Sequence, residues 1–312
     1  MMPTVRAVTI EKTGGPDVVH VADRPVRDPG PGEIRIAVRA AAVNHSDLVL
    51  REYGTPIVPP PWTPGMDAAG LVEAVGPDVE RLRVGDAVMA AMSPRRPEGG
   101  AQAELVVVPA ASAVALPDDA TFAQASTLPM NGLTALLALE LLDLGDGATL
   151  AVTGGAGLLA SYVIPLARER GVRVLADAGP ADEALVAGFG AEVVARGDGF
   201  ADAVRAAVPD GVDGLVDTAL LGRAAFGAIR DGGAMAVVRG WDGSPTERGI
   251  EIRPVAVRTV LERTDWLDLL RERAGDGRLT LRVAAEYPPG QAADAHRAME
   301  AGGLRGRGVI VF

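Results

Sequence analysis

The period of the apolar positions changes near residue 120. Before it, the apolar runs are short: "VRAVTI", "EIRIAVRAAAV", "AGLVEAV", "DAVMAA" and "AELVVVP". Gly, Pro and Asp turns part them at intervals of roughly 8 to 15 residues, a spacing that predicts β-strands. "YGTPIVPPPWTPG" fits neither a helix interior nor a central strand, because proline lacks the N–H and restricts its predecessor. It predicts an extended loop of the kind that walls a site. From about residue 121, "TFAQASTLPMNGLTALLALELL" has helical periodicity. A strand over 149–153, a helix over 157–170, a strand over 172–177 and a helix over 181–189 follow. "GLVDTAL" and "GAMAVVRG" continue as strands with a helix, "RAAFGAIRDG", between them. This alternation predicts a parallel, doubly wound sheet. Mixed structure returns after about residue 255 and ends in a strand, "RGRGVIVF".

Residues 149–177 thus form one βαβ unit, and its first turn lies in "AVTGGAGLLASYV". The spaced form Gly155-x-Gly157-x-x-Ala160 stands where a dinucleotide fingerprint belongs, after a strand and opening a helix. Gly155 would make the tight turn, Gly157 would admit the pyrophosphate, and Ala160 would let helix and sheet pack closely. The helix N-terminus adds N–H groups and positive dipole. Gly154, Gly155, Ala156, Gly157, Leu158 and Leu159 are therefore cofactor-binding candidates, a ligand-free βα turn being the competing reading. The two leucines are bulky for such a place. Asp177 reads either as the acceptor for the ribose 2′-hydroxyl of NADH or as a strand-end cap. No Lys or Arg lies between Val174 and Ala195, so the 2′-phosphate of NADPH would have to recruit Arg196 or a more distant cation. "AVVRGWDG" should end at the carboxyl edge of the sheet, which makes Arg239, Gly240 and Trp241 pocket candidates; for Trp241 the alternative is packing.

Composition narrows the function class. With 312 residues, 48% of them hydrophobic, the chain can bury large cores and suggests two domains of an enzyme-sized soluble protein. A net charge of −11 and the lack of any basic run argue against nucleic acid and anionic membranes as partners. No apolar stretch near 18 residues is expected, and "MMPTVRAVTIEKTGG" lacks the parts of a signal peptide, which predicts a cytoplasmic location. Zero cysteines exclude disulfides, thiol catalysis and Cys-based zinc sites. The histidines, His20, His45 and His296, are too scattered to form a metal cluster, and His296 is expected on a helix surface. No metal site is expected.

Several segments, taken in order, resemble one family: "AAAVNHSDL", "PGMDAAGLVEAVG", "RLRVGDAV", "GGAQAELVVVP", "STLPMNGLTALLAL", the glycine loop, "GVDGLVDTA" and "EAGGLRGRGVIVF". The sequence is similar to zinc-independent medium-chain dehydrogenases/reductases of the quinone oxidoreductase and enoyl reductase type, over nearly the whole chain. The resemblance implies an α/β fold, a GroES-like β domain plus a Rossmann doubly wound parallel-sheet domain with a cleft between them. Residues 1–120 and 261–312 would form the GroES-like catalytic domain and 121–260 the nucleotide-binding domain.

Zinc-dependent relatives carry Cys, His and Cys ligands at the positions of Asn44, Met66 and Met130, none of which supplies a thiolate or imidazole. The implied activity is therefore NAD(P)H-dependent, zinc-independent hydride transfer to a quinone or α,β-unsaturated carbonyl. The cofactor would supply the chemistry and the protein the positioning. Asn44, Asn131 and Thr134 are implied at the nicotinamide end, with turn formation and capping as their alternative roles. Tyr53 resembles a proton-donating tyrosine of some enoyl reductases, although "REYGTP" is shorter than their segment, and a rim position is the alternative. His45 and Ser46 stand at basic and relay positions of zinc enzymes and rank second here. Arg307 replaces the Lys of a Gly-Lys pair and either reaches a cofactor phosphate or is solvated. The resemblance favours NADPH and Asp177 favours NADH. NADPH is adopted because Asp177 lies one place before the usual ribose-binding acid of NAD-dependent relatives. A homodimer through the edge strand "GIEIRPVAV" is implied as well. The alternative function is a non-redox nucleotide-binding or sensing member of the same fold.

Overall fold

Ile34, Ile36 and Val38 are buried, while Glu33, Arg35 and Ala37 between them are half-buried. This alternation builds the longest strand of the chain and turns one face of its sheet into a core. The computed structural model describes residues 3–312. They fall into two units: the described residues up to Met130 with Leu261–Phe312, and Asn131–Val260.

In the first unit β1 (Thr4–Ile10) pairs antiparallel with β2 (Val19–Pro25). Next come β3 (Glu33–Ala42), helix α1 (His45–Tyr53), β4 (Asp67–Val75), β5 (Ala87–Ala91), β6 (Leu105–Pro109) and β7 (Ala113–Ala115). Helices α2 (Phe122–Ala125) and α3 (Pro129–Leu142) lead out of this unit. The second unit holds β8 (Thr149–Val152), α4 (Leu158–Glu169), β9 (Arg173–Ala178), α5 (Glu183–Gly188), β10 (Glu192–Ala195) and α6 (Phe200–Ala207). It is completed by β11 (Val212–Asp217), β12 (Ile229–Val237) and β13 (Glu251–Pro254). The chain then returns to the first unit with α7 (Thr264–Gly275), β14 (Val283–Tyr287), α8 (Ala292–Ala301) and β15 (Arg307–Val311).

The large sheet of the first unit runs β14-β15-β3-β4-β5-β7, with β6 also on β3. It is antiparallel except for the β14–β15 pair. The second unit is a six-stranded parallel sheet in the order β10-β9-β8-β11-β12-β13, the Rossmann order. Its strands β8, β9 and β11 are almost wholly buried, as strands with helices on both faces must be.

Three expectations change. "RAAFGAIRDG" is not an α-helix: Gly222–Ala228 forms a 3-10 turn, and Ile229 already pairs with Val212 as the start of β12. Glycine at 227 and 232 disfavours a helix by about 1 kcal/mol each, and burying Ile229 in the ladder decides the outcome. The strand β10 and helix α6 were not anticipated. Finally, Phe122–Leu142 is long and apolar enough to cross a membrane, although no such stretch was expected; 78% of its 18-residue window is buried in the fold. An apolar helix without a polar face belongs in a core, and the first turn of this stretch carries a Thr121–Gln124 capping box.

Candidate active site

The glycine loop joins β8 to α4 at the carboxyl ends of the strands, beside the point where the sheet order reverses. Gly154 has φ +68°, and a Cβ there would stand 2.9 Å from Thr218 Oγ1. A Cβ on Gly155 would meet the Asp177 carbonyl oxygen at 2.6 Å, so the turn presses against the end of β9. Gly157 is the N-cap of α4, and with no side chain to cover the first turn, the helix presents its N-terminus through backbone alone. A dinucleotide's diphosphate fits this arrangement. Leu158 is fully buried and Leu159 half-buried, so the first leucine's bulk goes to the core.

Asp177 is 4% exposed and turned back onto its own loop. One carboxylate oxygen accepts from the Gly154 and Gly155 N–H groups, and the other accepts from Arg196 Nε at 2.9 Å. The guanidinium it holds is about half exposed. Asp217, at the end of β11, braces the loop from the other side. It accepts from Thr153 Oγ1 at 2.7 Å and from the Leu221 and Gly222 N–H groups at 3.0 and 2.8 Å. Arg239 and Gly240 follow β12 and are exposed. Trp241 stacks on Phe226 of its own unit, ring centres 5.7 Å apart, and donates Nε1–H to the Ser244 carbonyl. On α3, Asn131 and Thr134 are buried and lie three residues apart, one helical turn.

The first unit contains a buried polar cluster around Asn44. Asn44 caps α1 and closes a capping box with Asp47, whose carboxylate accepts the Asn44 N–H at 2.8 Å and the Gly65 N–H at 2.9 Å. The Asn44 side-chain Nδ2 donates to Asp67 at 2.7 Å, and its Oδ1 accepts from Arg307 Nε at 2.8 Å. The other Asp67 oxygen accepts from the Met130 N–H, at the start of α3, at 2.6 Å. Asn44, Asp47 and Asp67 are wholly buried and Arg307 nearly so. Burial pushes the Asp67 carboxyl up to about 7, against the Met130 and Asn44 hydrogen bonds; Asp47 nearby raises it further and Arg307 lowers it. Burial likewise lifts Asp47 to about 6, against the Asn44 and Gly65 N–H groups.

The structure therefore brings Asn44 and Arg307 together and places Arg307 inside the β unit. Tyr53, by contrast, is 75% exposed at the far end of α1, about 12 Å along the helix from the Asn44 end. His45 opens the same helix and is exposed; the Ser46 hydroxyl beside it is buried without a partner. His296 is not on a surface but fully buried on α8, because the apolar face of that helix includes Ala292, Ala295 and Met299 and packs into the core. Asp47, Asp67 and the buried Gln102, whose Nε2 donates to Asp47 at 3.4 Å, escaped the sequence reading; the capping-box spacing of Asn44 and Asp47 was the one available signal. Among the described residues no group of His, Cys, Asp and Glu could hold a metal ion. The Asn44, Met66 and Met130 side chains do not fit zinc.

Residues 30–118 match the family model for the alcohol dehydrogenase GroES-like domain, and residues 189–310 match that for zinc-binding dehydrogenase. The crystal structure of an NAD-dependent alcohol dehydrogenase superposes over 98% of this chain and 99% of its own, with TM-score 0.84 at 30% identity. The chain belongs to the medium-chain dehydrogenase/reductase family. Another member, a mycobacterial quinone oxidoreductase, superposes over 99% of this chain and 100% of its own, with TM-score 0.81 at 28% identity. Among curated relatives, a quinone oxidoreductase of Pseudomonas aeruginosa is 34% identical over 178 residues, 56% of this chain and 53% of the relative. The chain spans about half the length of that relative. It spans 38% of a mouse VAT-1 homolog-like protein and 4% of a Streptomyces venezuelae polyketide synthase component.

Proposed function

We propose that this family member is an NADPH-dependent, zinc-independent reductase of quinones or α,β-unsaturated carbonyls. The observation that carries the proposal is the glycine-capped N-terminus of α4 at the carboxyl edge of a parallel sheet of Rossmann order. The quinone oxidoreductase relatives support the acceptor class. When bound, the dinucleotide supplies the hydride that reduces the electron-poor carbon of the acceptor. The first turn of α4 would hold the diphosphate by backbone N–H groups and helix dipole, since the Gly154, Gly155 and Gly157 N–H groups are engaged within the loop and by Asp177. Asn44, Asn131 and Thr134 orient the carboxamide or the acceptor oxygen. The proposal assigns no proton transfer to Tyr53, which is exposed at the far end of α1.

Asp177 supports NADPH for a reason its sequence position conceals. Its carboxylate is 4% exposed and already accepts from two loop N–H groups and from Arg196, which leaves little of it for a ribose hydroxyl. Arg196, which follows β10 and reaches Asp177 on β9 with its guanidinium half exposed, is the cation that would meet a 2′-phosphate. Titration with NADPH and NADH, followed by cofactor fluorescence, tests this. Tighter NADPH binding that Arg196→Ala weakens about tenfold, about 1.4 kcal/mol, supports it, and equal affinities overturn it. An acceptor panel then tests turnover.

A second reading, nucleotide binding or sensing without turnover, has one observation in its favour: Asp177 occupies two of the loop donors that a phosphate would otherwise use. Cofactor binding with no oxidation by any quinone or enone would favour it. The proposal includes a homodimer formed through β13, the edge strand of the parallel sheet, in the cytoplasm and without nucleic acid or membrane partners. Light scattering at several concentrations measures that assembly.

A further inference from the structure

We infer that Asp67 and Arg307 are positioning residues that hold the side-chain amide of Asn44 in one of its two orientations. A buried asparagine amide can usually be turned by 180° with little change in shape, which exchanges its donor and acceptor ends. Here the ends are distinguished by charge. The NH2 end points at the Asp67 carboxylate, 2.7 Å away, and the oxygen accepts from the Arg307 guanidinium at 2.8 Å. Turning the amide would set its NH2 group against the Arg307 guanidinium at any pH and its oxygen against Asp67 wherever that acid, lifted by burial to about 7, is ionised, so the guanidinium carries the distinction in mild acid and both ends carry it above neutrality. Asp67 is in turn fixed by the Met130 N–H at 2.6 Å, and Asn44 by the Asp47 capping box. No solvent reaches Asn44 or Asp67 to supply alternative partners.

The inference deepens the proposed function, because it rests on the assignment of Asn44 to the nicotinamide carboxamide or acceptor oxygen. Asn44 is wholly buried, so that assignment requires the bound dinucleotide to reach it, and a locked amide would then present the same end without reorganising during the reaction. The same Asp67 carboxylate holds the first turn of α3, the helix that carries Asn131 and Thr134. One buried acid therefore organises Asn44 directly and the start of that helix through its backbone.

The test combines a spectroscopic readout with a kinetic cycle on the full chain. The side-chain 15N–1H2 resonances of Asn44, assigned by their loss in Asn44→Ala, are followed in wild type, Asp67→Asn, Arg307→Met and Arg307→Lys. One slowly exchanging pair is expected in wild type, and two populations or fast exchange in Asp67→Asn and Arg307→Met, with Arg307→Lys restoring the single pair. With NADPH and an accepting quinone, Asp67→Asn and Asn44→Ala should each lower kcat about tenfold with KM for NADPH nearly unchanged. The double variant should fall no further, because both remove the same oriented amide. An unaltered Asn44 pair in both Asp67→Asn and Arg307→Met, or additive losses of kcat, would overturn the inference. Full kcat in Asn44→Ala alongside the expected spectral changes would instead reject the functional assignment of Asn44 and leave the lock standing. If Asp67→Asn fails to fold, Arg307→Met and its lysine rescue carry the same comparison.

Discussion

His296 should lower the stability of this fold in mild acid relative to a variant that lacks the imidazole. Its ring is fully buried on α8, neither ring nitrogen has a hydrogen-bond partner, and the Arg51 guanidinium is close enough to oppose a second positive charge. Burial, reinforced by Arg51, pushes the imidazole down from 6.5 to about 4. The unfolded chain therefore binds the proton more readily than the folded one between those values. The stabilisation from keeping the ring neutral is present above 6.5 and is lost as the pH falls toward 4. Over the whole window this amounts to about 3 kcal/mol, of which about 2 kcal/mol is lost between pH about 7.5 and pH about 5. His296→Leu removes the titration and also two buried nitrogens without partners, each a cost of about 1–3 kcal/mol. Urea unfolding followed by tryptophan fluorescence at pH about 7.5, 6 and 5 should show the variant at least as stable as wild type at the highest pH. Its advantage should grow by about 2 kcal/mol at the lowest. A stability difference that stays constant across that range would refute a neutral, unpartnered imidazole.

Other variants test the nucleotide side and the helix that carries Tyr53. Gly154→Ala should weaken NADPH binding and lower the melting temperature, since a side chain at φ +68° is strained and the new Cβ would crowd Thr218 Oγ1; calorimetry and fluorescence titration check both. Asp177→Ser should weaken binding of NADPH and NADH alike, because it releases the loop backbone and Arg196 together; a tenfold gain for NADPH would show that the acid had been opposing the phosphate. Tyr53→Phe should change kcat by less than about twofold, as a hydroxyl this exposed exchanges protons with water as readily as with a substrate, and a loss of about 100-fold, the low end of general acid catalysis, would restore it as proton donor.

What could be read before folding was what repeats along the chain. The strand of Ile34, Ile36 and Val38, the βαβ unit around the glycine loop and the change of period near residue 120 are all patterns of spacing, and spacing survives into structure. What could not be read was the direction in which a polar side chain turns. Asp177 sits one residue before the end of a strand, where an acid either meets a ribose or folds back on its loop. The choice depends on Arg196, nineteen positions on in the next strand connection. His296 stands among Asp294, Arg297 and Glu300 and looks like part of a solvated face, yet the helix turns it inward. The segment "RAAFGAIRDG" failed for the opposite reason, since its helical spacing was outweighed by the ladder partner Val212, on the preceding strand.

The buried charges of the first unit have a joint consequence that no single residue shows. Asp47 and Asp67 are lifted by burial to about 6 and about 7, so their contribution to stability is greatest below 3.8 and is lost as the pH rises through those values. His296 acts with the opposite sign over almost the same window. In wild type the one imidazole offsets only about half of the two carboxyls' slope, so stability should fall by about 2 kcal/mol between pH about 5 and 7. In His296→Leu the carboxylates act unopposed, so stability should fall more steeply as the pH rises over that interval. The carboxylates persist despite this cost because each makes contacts a neutral apolar side chain could not: Asp47 caps α1 and takes the Gly65 N–H, while Asp67 holds Asn44 and the start of α3. A His296→Leu variant whose stability is flat or rising from pH about 5 to 7 would mean that these carboxylates are not held at the cost their burial implies, and with it would fall the case that they are retained for the geometry of Asn44.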